Sequence, residues 1–182
     1  MKYYAFEPCG VETTKYCEPE LFGEWEDEFL KANRWRNRNL PFPVTMTVNN
    51  KYCPGDYPLA DSHLVSERLL SLIRHLNRDF ETLPTAIYYR KKEPIWGGYH
   101  TVLFPEYEAF SFEKSEYTLF RDKIVGLKKL VLSEEKLSRI ESANNIFVLK
   151  ETHLDLICTQ TAKDAIEAEG IKDVRFTEIP AE

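Results

Sequence analysis

One amphipathic stripe constrains the fold of this chain more than any other feature. Its apolar members fall on one face of a helical projection: Val65, Leu69, Leu72, Ile73 and Leu76. Glu67, Arg68 and Arg74 lie on the opposite side. An apolar face opposed by charges is typical of a helix that packs against a core. The pattern therefore predicts a central amphipathic helix, which Asp61 or Ser62 could cap at its N-terminus.

Short apolar or β-branched segments, bounded by turn residues, predict strands on both sides of this helix. They are 44–48, 86–89, 99–104, 109–112, 127–132, 146–149, 154–158 and 174–179. Residues 133–140 are typical of a short helical turn, and a capping-box pattern from Thr161 predicts a C-terminal helix that ends near Gly170. Helices and strands do not alternate regularly. The prediction is an α+β fold with a mixed or mostly antiparallel sheet on which both helices pack.

The N-terminal third differs from the rest because prolines interrupt it repeatedly. These are Pro8, Pro19, Pro41, Pro43, Pro54 and Pro58. We expect a single domain over residues 1–182, with an irregular region at 1–60 and a core at 61–182. Within the irregular region, residues 21–31 predict a short helix with an acidic outer face. That face carries Glu24, Glu26, Asp27 and Glu28.

Charge and apolar run lengths exclude several classes of protein. The net charge is −6, so the chain repels phosphate backbones and nucleic acid is not the expected partner. The basic strip at 34–38 is too short to change that expectation. Apolar runs are only a few residues long, and acidic Glu7 precedes any of them, so we expect neither a membrane span nor a secretory signal. We therefore expect a cytoplasmic protein. Its acidic surplus suits a basic protein as the partner.

Residue patterns for catalysis or metal binding are weak. The four cysteines (Cys9, Cys17, Cys53 and Cys158) lack zinc-knuckle spacing, and the histidines are isolated, so we expect reduced thiols and no metal or cofactor. Gly97-Gly98 indicates a hairpin or bulge turn rather than a phosphate loop. Cys158 could pair with His100 or His153 as a nucleophile, but a cysteine that ends an apolar run is more often buried and inert.

Partner binding is the better-supported class, and two sets of residues are candidates for it. The first is the acidic face of the predicted 21–31 helix, which could meet a basic protein. The second is aromatic. Trp96 lies between Pro94 and Gly97-Gly98 and is the best candidate for an exposed anchor, with Tyr99 beside it.

Five segments together resemble an immunity protein family of bacterial polymorphic toxin systems, long known only as a domain of unknown function. The order and spacing of the segments fit that family over roughly residues 60–180. The segments are 64–69 (LVSERL), 112–117 (FEKSEY), 130–136 (LVLSEEK), 146–151 (IFVLKE) and 161–178. We interpret 111–117 as a strand-to-helix junction.

The resemblance implies a non-enzymatic antidote that binds a cognate toxin, often one delivered by contact-dependent or type VI secretion, in the cytoplasm of the producing cell. Two alternatives stay open. One is a regulatory module that binds a small molecule or peptide, and the other is an enzyme of unrecognised type that uses Cys158. The sequence does not identify the toxin or the oligomeric state.

Overall fold

The structure is a computed structural model of the 182-residue chain. It describes residues 1–8, 17–20, 44–48, 55–57, 63–89, 93–121, 123–140, 142–152 and 156–182. For 17–20, 44–48, 86, 88–89 and 93–97 it describes the backbone alone. The predicted helix at 21–31 and the basic strip at 34–38 lie outside the described residues.

Twelve strands and three helices make up the described part of the chain. The strands are β1 (Tyr3–Pro8), β2 (Cys17–Glu20), β3 (Val44–Val48), β4 (Leu64–Ser66), β5 (Glu81–Tyr89), β6 (Glu93–Leu103), β7 (Glu106–Tyr107), β8 (Glu116–Phe120), β9 (Lys123–Lys129), β10 (Ile146–Leu149), β11 (Leu156–Thr159) and β12 (Val174–Ile179). The helices are α1 (Glu67–Leu76), α2 (Glu134–Leu137) and α3 (Gln160–Ala168).

The strands form two five-stranded sheets and one separate hairpin. The first sheet has the order β12-β1-β11-β10-β7, and the second has the order β2-β3-β5-β6-β4. Within the described residues, strands β8 and β9 pair only with each other. All pairings are antiparallel except β10 with β7 and β3 with β5. The predicted α+β class with mostly antiparallel sheets is confirmed.

Helix α1 begins later than the sequence predicts, at Glu67. Its N-cap is Ser66, whose hydroxyl accepts from Leu69 N at 3.2 Å and donates to Asp56 Oδ1 at 2.6 Å. Residues 64–66 form a strand instead of a first helical turn, and Val65 is buried there, opposite His100. The prediction of a cap at Asp61 or Ser62 was wrong. It counted Val65 as part of the helix because Val65 is apolar, but Val65 is buried just as well when it lies in a strand.

The first sheet is buried on both faces, because alternate side chains of its strands point to opposite sides. One face packs against α1 and α3 in a cluster that includes Phe6, Ile73, Val148, Cys158 and Ile166. The other face packs against α2 and the segments around residues 109 and 132, in a cluster that includes Phe147, Leu149, Ile157, Leu137 and Ile179. The predicted packing of both long helices on a sheet is confirmed.

The C-terminal helix α3 has its cap two residues earlier than predicted. Thr159, not Thr161, caps it, and Thr159 Oγ1 accepts from Ala162 N at 3.3 Å. The same hydroxyl donates to Asn145 Oδ1 at 2.8 Å, which ties the helix start to the turn before β10. Gly170 follows the helix with a φ of +64°, in the left-handed conformation that its sequence position predicted.

Two further local predictions need correction. Residues 111–117 lead from a turn into strand β8, so they do not form a strand-to-helix junction. The strand predicted at 127–132 lies at 123–129, as β9. The hairpin or bulge turn predicted at Gly97-Gly98 is confirmed as a bulge in β6, because Thr85 pairs with Tyr99 while Ile87 pairs with Trp96. Within the described residues, no helix is long and apolar enough to cross a membrane.

Candidate partner-binding surface

The β8–β9 hairpin carries three of the five large apolar side chains that are exposed among the described residues. Leu119, Phe120 and Val125 are 51%, 61% and 60% exposed. In the hairpin register Tyr117 lies opposite Leu127, and Leu119 lies opposite Ile124. Cross-strand partners share one face of a sheet, so these four residues form an apolar row along one side of the hairpin.

The same hairpin is basic, although the whole chain is acidic. Arg121, Lys123, Lys128 and Lys129 outnumber Glu116 and Asp122, which gives residues 116–129 a net charge of +2 in a chain of net charge −6. All four basic side chains are exposed. The Arg121 guanidinium lies over the Phe120 ring, with Cζ 5.2 Å from the ring centroid, so a cation and an apolar ring are presented together near the tip.

An aromatic triad joins the hairpin to the body of the protein. The rings of Phe110, Phe112 and Tyr117 meet edge to face, with centroid distances of 4.9, 5.5 and 5.7 Å. Phe110 is fully buried, whereas Phe112 is 47% exposed. The triad therefore runs from the core to the surface at the base of the hairpin.

Hydrogen bonds hold together the two chain segments at the base of the hairpin, one before β8 and the other after β9. Ser115 Oγ donates to Val131 O at 3.2 Å and accepts from Val131 N at 3.0 Å. Lys136 Nζ donates to Phe110 O at 2.9 Å and lies 3.6 Å from Glu151 Oε1. These contacts join three of the segments that carry the family resemblance, at 112–117, 130–136 and 146–151. The hairpin base is thus where those segments converge.

The acidic candidates of the sequence prediction are not placed by the structure. Glu24, Glu26, Asp27 and Glu28 lie outside the described residues, so their role in partner binding stays a prediction.

The aromatic candidates lie on β6. Trp96 is opposite Ile87, and only its backbone is described. Tyr99 is buried, and its hydroxyl donates to Gly55 O at 2.9 Å, which holds the 55–57 segment against the sheet. A partner-binding role for either residue stays a prediction.

The suggested pair of Cys158 with His100 does not form. Cys158 is fully buried in the core between the first sheet and its helices, and this burial raises the pKa of its thiol to about 12. His100 Nε2 lies 2.5 Å from Glu67 Oε2, and its buried Nδ1 has no hydrogen-bond partner among the residues that the structure describes. The expected burial of Cys158 is confirmed, and its lack of reactivity stays a prediction. His153 lies outside the described residues.

A cleft of about 390 Å³ opens beside α2. Its lining includes Tyr3, Leu137, Asn144, Asn145 and Thr159. The amides are engaged within the fold: Asn144 Nδ2 donates to Asp79 Oδ2 and Tyr107 Oη, and Asn145 Nδ2 donates to Leu76 O. These polar groups hold the turn before β10 in place. In the part of the chain that the structure describes, no group of His, Cys, Asp and Glu side chains is arranged to hold a metal ion.

Sequence reasoning missed the hairpin, although a signal for it exists. Tyr117 and Leu119 alternate with the polar residues Glu116 and Thr118. Arg121 has a φ of +49° at the turn, and Lys123 resumes an extended segment. Alternation of this kind is typical of a strand with one apolar face. The exposure of that face could not be read from the pattern.

The comparison with protein-family models identifies the group to which this chain belongs. The model of an immunity protein family (Imm11) matches residues 24–181. This range includes the region from about residue 60 that carries the resemblance and extends it into the proline-rich part. No curated protein matches the chain. Proteins of such a family neutralise toxins, and a match over most of the chain places it among them: it belongs to the Imm11 immunity protein family.

Proposed function

We propose that this protein is a non-enzymatic antidote that binds a cognate toxin of a polymorphic toxin system in the cytoplasm of the producing cell. Family membership over residues 24–181 carries this proposal. Binding alone is sufficient for neutralisation if the complex covers the toxin's active surface or prevents its substrate from entering.

The exposed apolar side chains of the hairpin support a binding function. Soluble proteins seldom expose several large apolar residues together unless a partner covers them. Leu119, Phe120 and Val125 are each more than half exposed, and Phe112 is nearly so. Aromatic and aliphatic anchors of this kind supply most of the affinity in protein interfaces.

The acidic set Glu24, Glu26, Asp27 and Glu28 is a second contact surface in the proposal. Four carboxylates within five residues would attract a basic region of the toxin and accelerate association. Trp96 and Tyr99 complete the proposed set. Because Tyr99 is buried, it would act indirectly, by holding the 55–57 segment against the sheet.

The test uses the toxin encoded beside the gene for this chain. Cells that express the toxin are expected to grow only when this protein is co-expressed, and the two purified proteins are expected to elute as one stoichiometric complex. Protection without a stable complex, accompanied by a changed mass of the toxin, would instead indicate an enzyme. No protection and no complex would remove the proposal.

A charge-reversed variant tests the acidic set in the same assay. Replacement of Glu24, Glu26, Asp27 and Glu28 by Lys is expected to weaken the complex, with most of the change in the association rate. An unchanged affinity would exclude these four residues from the interface and leave the antidote function standing.

A further inference from the structure

We propose that the β8–β9 hairpin is the element that enters the toxin, and that the receiving surface is an apolar recess bordered by carboxylates. The proposal rests on the proposed function and specifies the chemistry of the partner. The surface proposed here differs from the one proposed for residues 24–28. The acidic residues 24–28 would meet a basic region of the toxin, whereas the basic hairpin requires an acidic receiving surface.

The first support is the isolation of the hairpin. A two-stranded hairpin is only marginally stable in water unless other structure packs on it, and no third strand joins β8 and β9 among the described residues. The described contacts that fix the hairpin are concentrated at its base, in the Phe110–Phe112–Tyr117 triad and the Ser115–Val131 hydrogen bonds. A projecting ribbon with a rigid base is suited to insertion into a recess of a partner.

The second support is the nature of the exposed side chains. Leu119 belongs to the apolar row, whereas Phe120, the next residue in the strand, points to the opposite face. Both are more than half exposed. Apolar side chains on both faces of one strand favour a partner that surrounds the end of the hairpin over one that covers a single face.

The third support is the distribution of ion pairs. Elsewhere on the described surface, most Lys and Arg side chains are paired with carboxylates, and Arg78 and Lys172 are the exceptions. Such pairs are Lys2–Glu178, Lys114–Glu182, Lys150–Glu108, Lys163–Glu167 and Arg175–Glu7. Lys123 and Lys128 of the hairpin are exposed, and neither forms an ion pair within the described residues. Unpaired charges beside exposed apolar groups favour a partner that supplies the carboxylates.

The experiment measures the binding kinetics of purified full-length variants with the toxin encoded by the neighbouring gene. The double variant Leu119→Ser/Phe120→Ser tests the apolar contact, and Lys123→Glu/Lys128→Glu tests the charge. Lys172→Glu is the charge control, because Lys172 is an exposed lysine in the segment between α3 and β12. Circular dichroism and thermal unfolding establish that each variant is folded.

The apolar double variant is expected to dissociate on the order of 100-fold faster than the unmodified protein. The charge variant is expected to associate about 10-fold more slowly at low salt, and this difference is expected to shrink as ionic strength rises. Lys172→Glu is expected to change either rate by less than about two-fold.

Three outcomes would overturn the inference. If the unmodified protein binds the toxin and both hairpin variants bind equally well, the hairpin is not the docking element, although the antidote function stands. If Lys123→Glu/Lys128→Glu binds more tightly, the receiving surface is basic. If the protein is a dimer that the apolar variant converts to a monomer, the hairpin is covered by a second copy of this chain. Failure of the unmodified protein to bind counts against the proposed function itself.

Discussion

The side chain of Asn77 exchanges two hydrogen bonds with the backbone of Ile146. Asn77 Nδ2 donates to Ile146 O at 2.6 Å, and Ile146 N donates to Asn77 Oδ1 at 2.9 Å. Asn77 also ends helix α1, where its N–H donates to Ile73 O at 2.8 Å. One buried amide thus joins the end of the central helix to the first residue of β10.

Replacement of Asn77 by Ala is expected to lower the free energy of unfolding by about 3 kcal/mol, because it leaves a buried N–H and a buried C=O of Ile146 unpaired. Urea denaturation measures the change. Lys172→Ala on the exposed surface is the control and is expected to stay within about 0.5 kcal/mol of the unmodified protein. A loss below about 1 kcal/mol for Asn77→Ala would show that water replaces the amide.

His63 is expected to make the protein sensitive to mild acid. Burial lowers the pKa of His63 to about 4, and its Nδ1 lies 2.8 Å from Tyr57 Oη. In the unfolded chain the His63 ring takes up a proton as the pH falls through about 6.5, whereas in the folded chain it stays neutral until the pH approaches about 4. Stability contributed by the neutral ring is therefore complete above pH 6.5 and falls between pH 6.5 and 4. The loss by pH 5 is about 2 kcal/mol.

The measurement is the difference in unfolding free energy between pH 7.5 and pH 5. It is expected to shrink in His63→Gln, which does not titrate, and to persist in His75→Gln, because His75 is exposed on α1. Equal pH dependence in the two variants would assign the acid sensitivity to other groups.

Gly55 is expected to tolerate no side chain. It has a φ of +79°, in the left-handed region that L side chains rarely adopt, and a Cβ there would also overlap the Asp173 carboxylate. Gly55→Ala should therefore cost about 2–3 kcal/mol of stability. Gly126→Ala is the matched control, because its Cβ would meet Thr118 at 3.7 Å, an ordinary contact. Equal thermal midpoints for the two variants would contradict the expected crowding at Gly55.

Cys158 is expected to resist thiol reagents in the folded protein. Its thiol is fully buried and its pKa is raised to about 12, so the reactive thiolate is scarce and inaccessible at neutral pH. Peptide mass mapping after brief alkylation should find Cys158 labelled at least about 100-fold more slowly than in urea. Cys158→Ala should still neutralise the toxin. Loss of neutralisation by a folded Cys158→Ala protein would support an enzyme.

The bounds of two strands could be predicted from the sequence alone. Strands β10 and β12 match the predicted bounds at 146–149 and 174–179. All four residues of β10 are buried, and they form a continuous apolar run in the sequence. Such a run marks the bounds of a strand that is buried on both faces. Helix α1 was predicted in type but not in its start, because the Ser66 cap depends on Asp56, a residue from another segment.

The candidate site was harder to predict. An apolar row is usually evidence of burial. The sequence of β8 and β9 does not reveal that, in the described part of the chain, no third strand pairs with them. Tyr99 illustrates the reverse case, since an aromatic residue chosen as a surface candidate holds Gly55 from within the fold. Whether an aromatic side chain is exposed depends on contacts between segments far apart in the chain.

Strand β1 lies between β11 and β12 in the first sheet, so residues 3–8 pair with residues 157–159 and 174–179. During synthesis, both partners of β1 are translated long after β1 itself. The first sheet therefore cannot close around β1 until translation has passed residue 179. A chain that stops before β11 would leave β1 without either neighbouring strand.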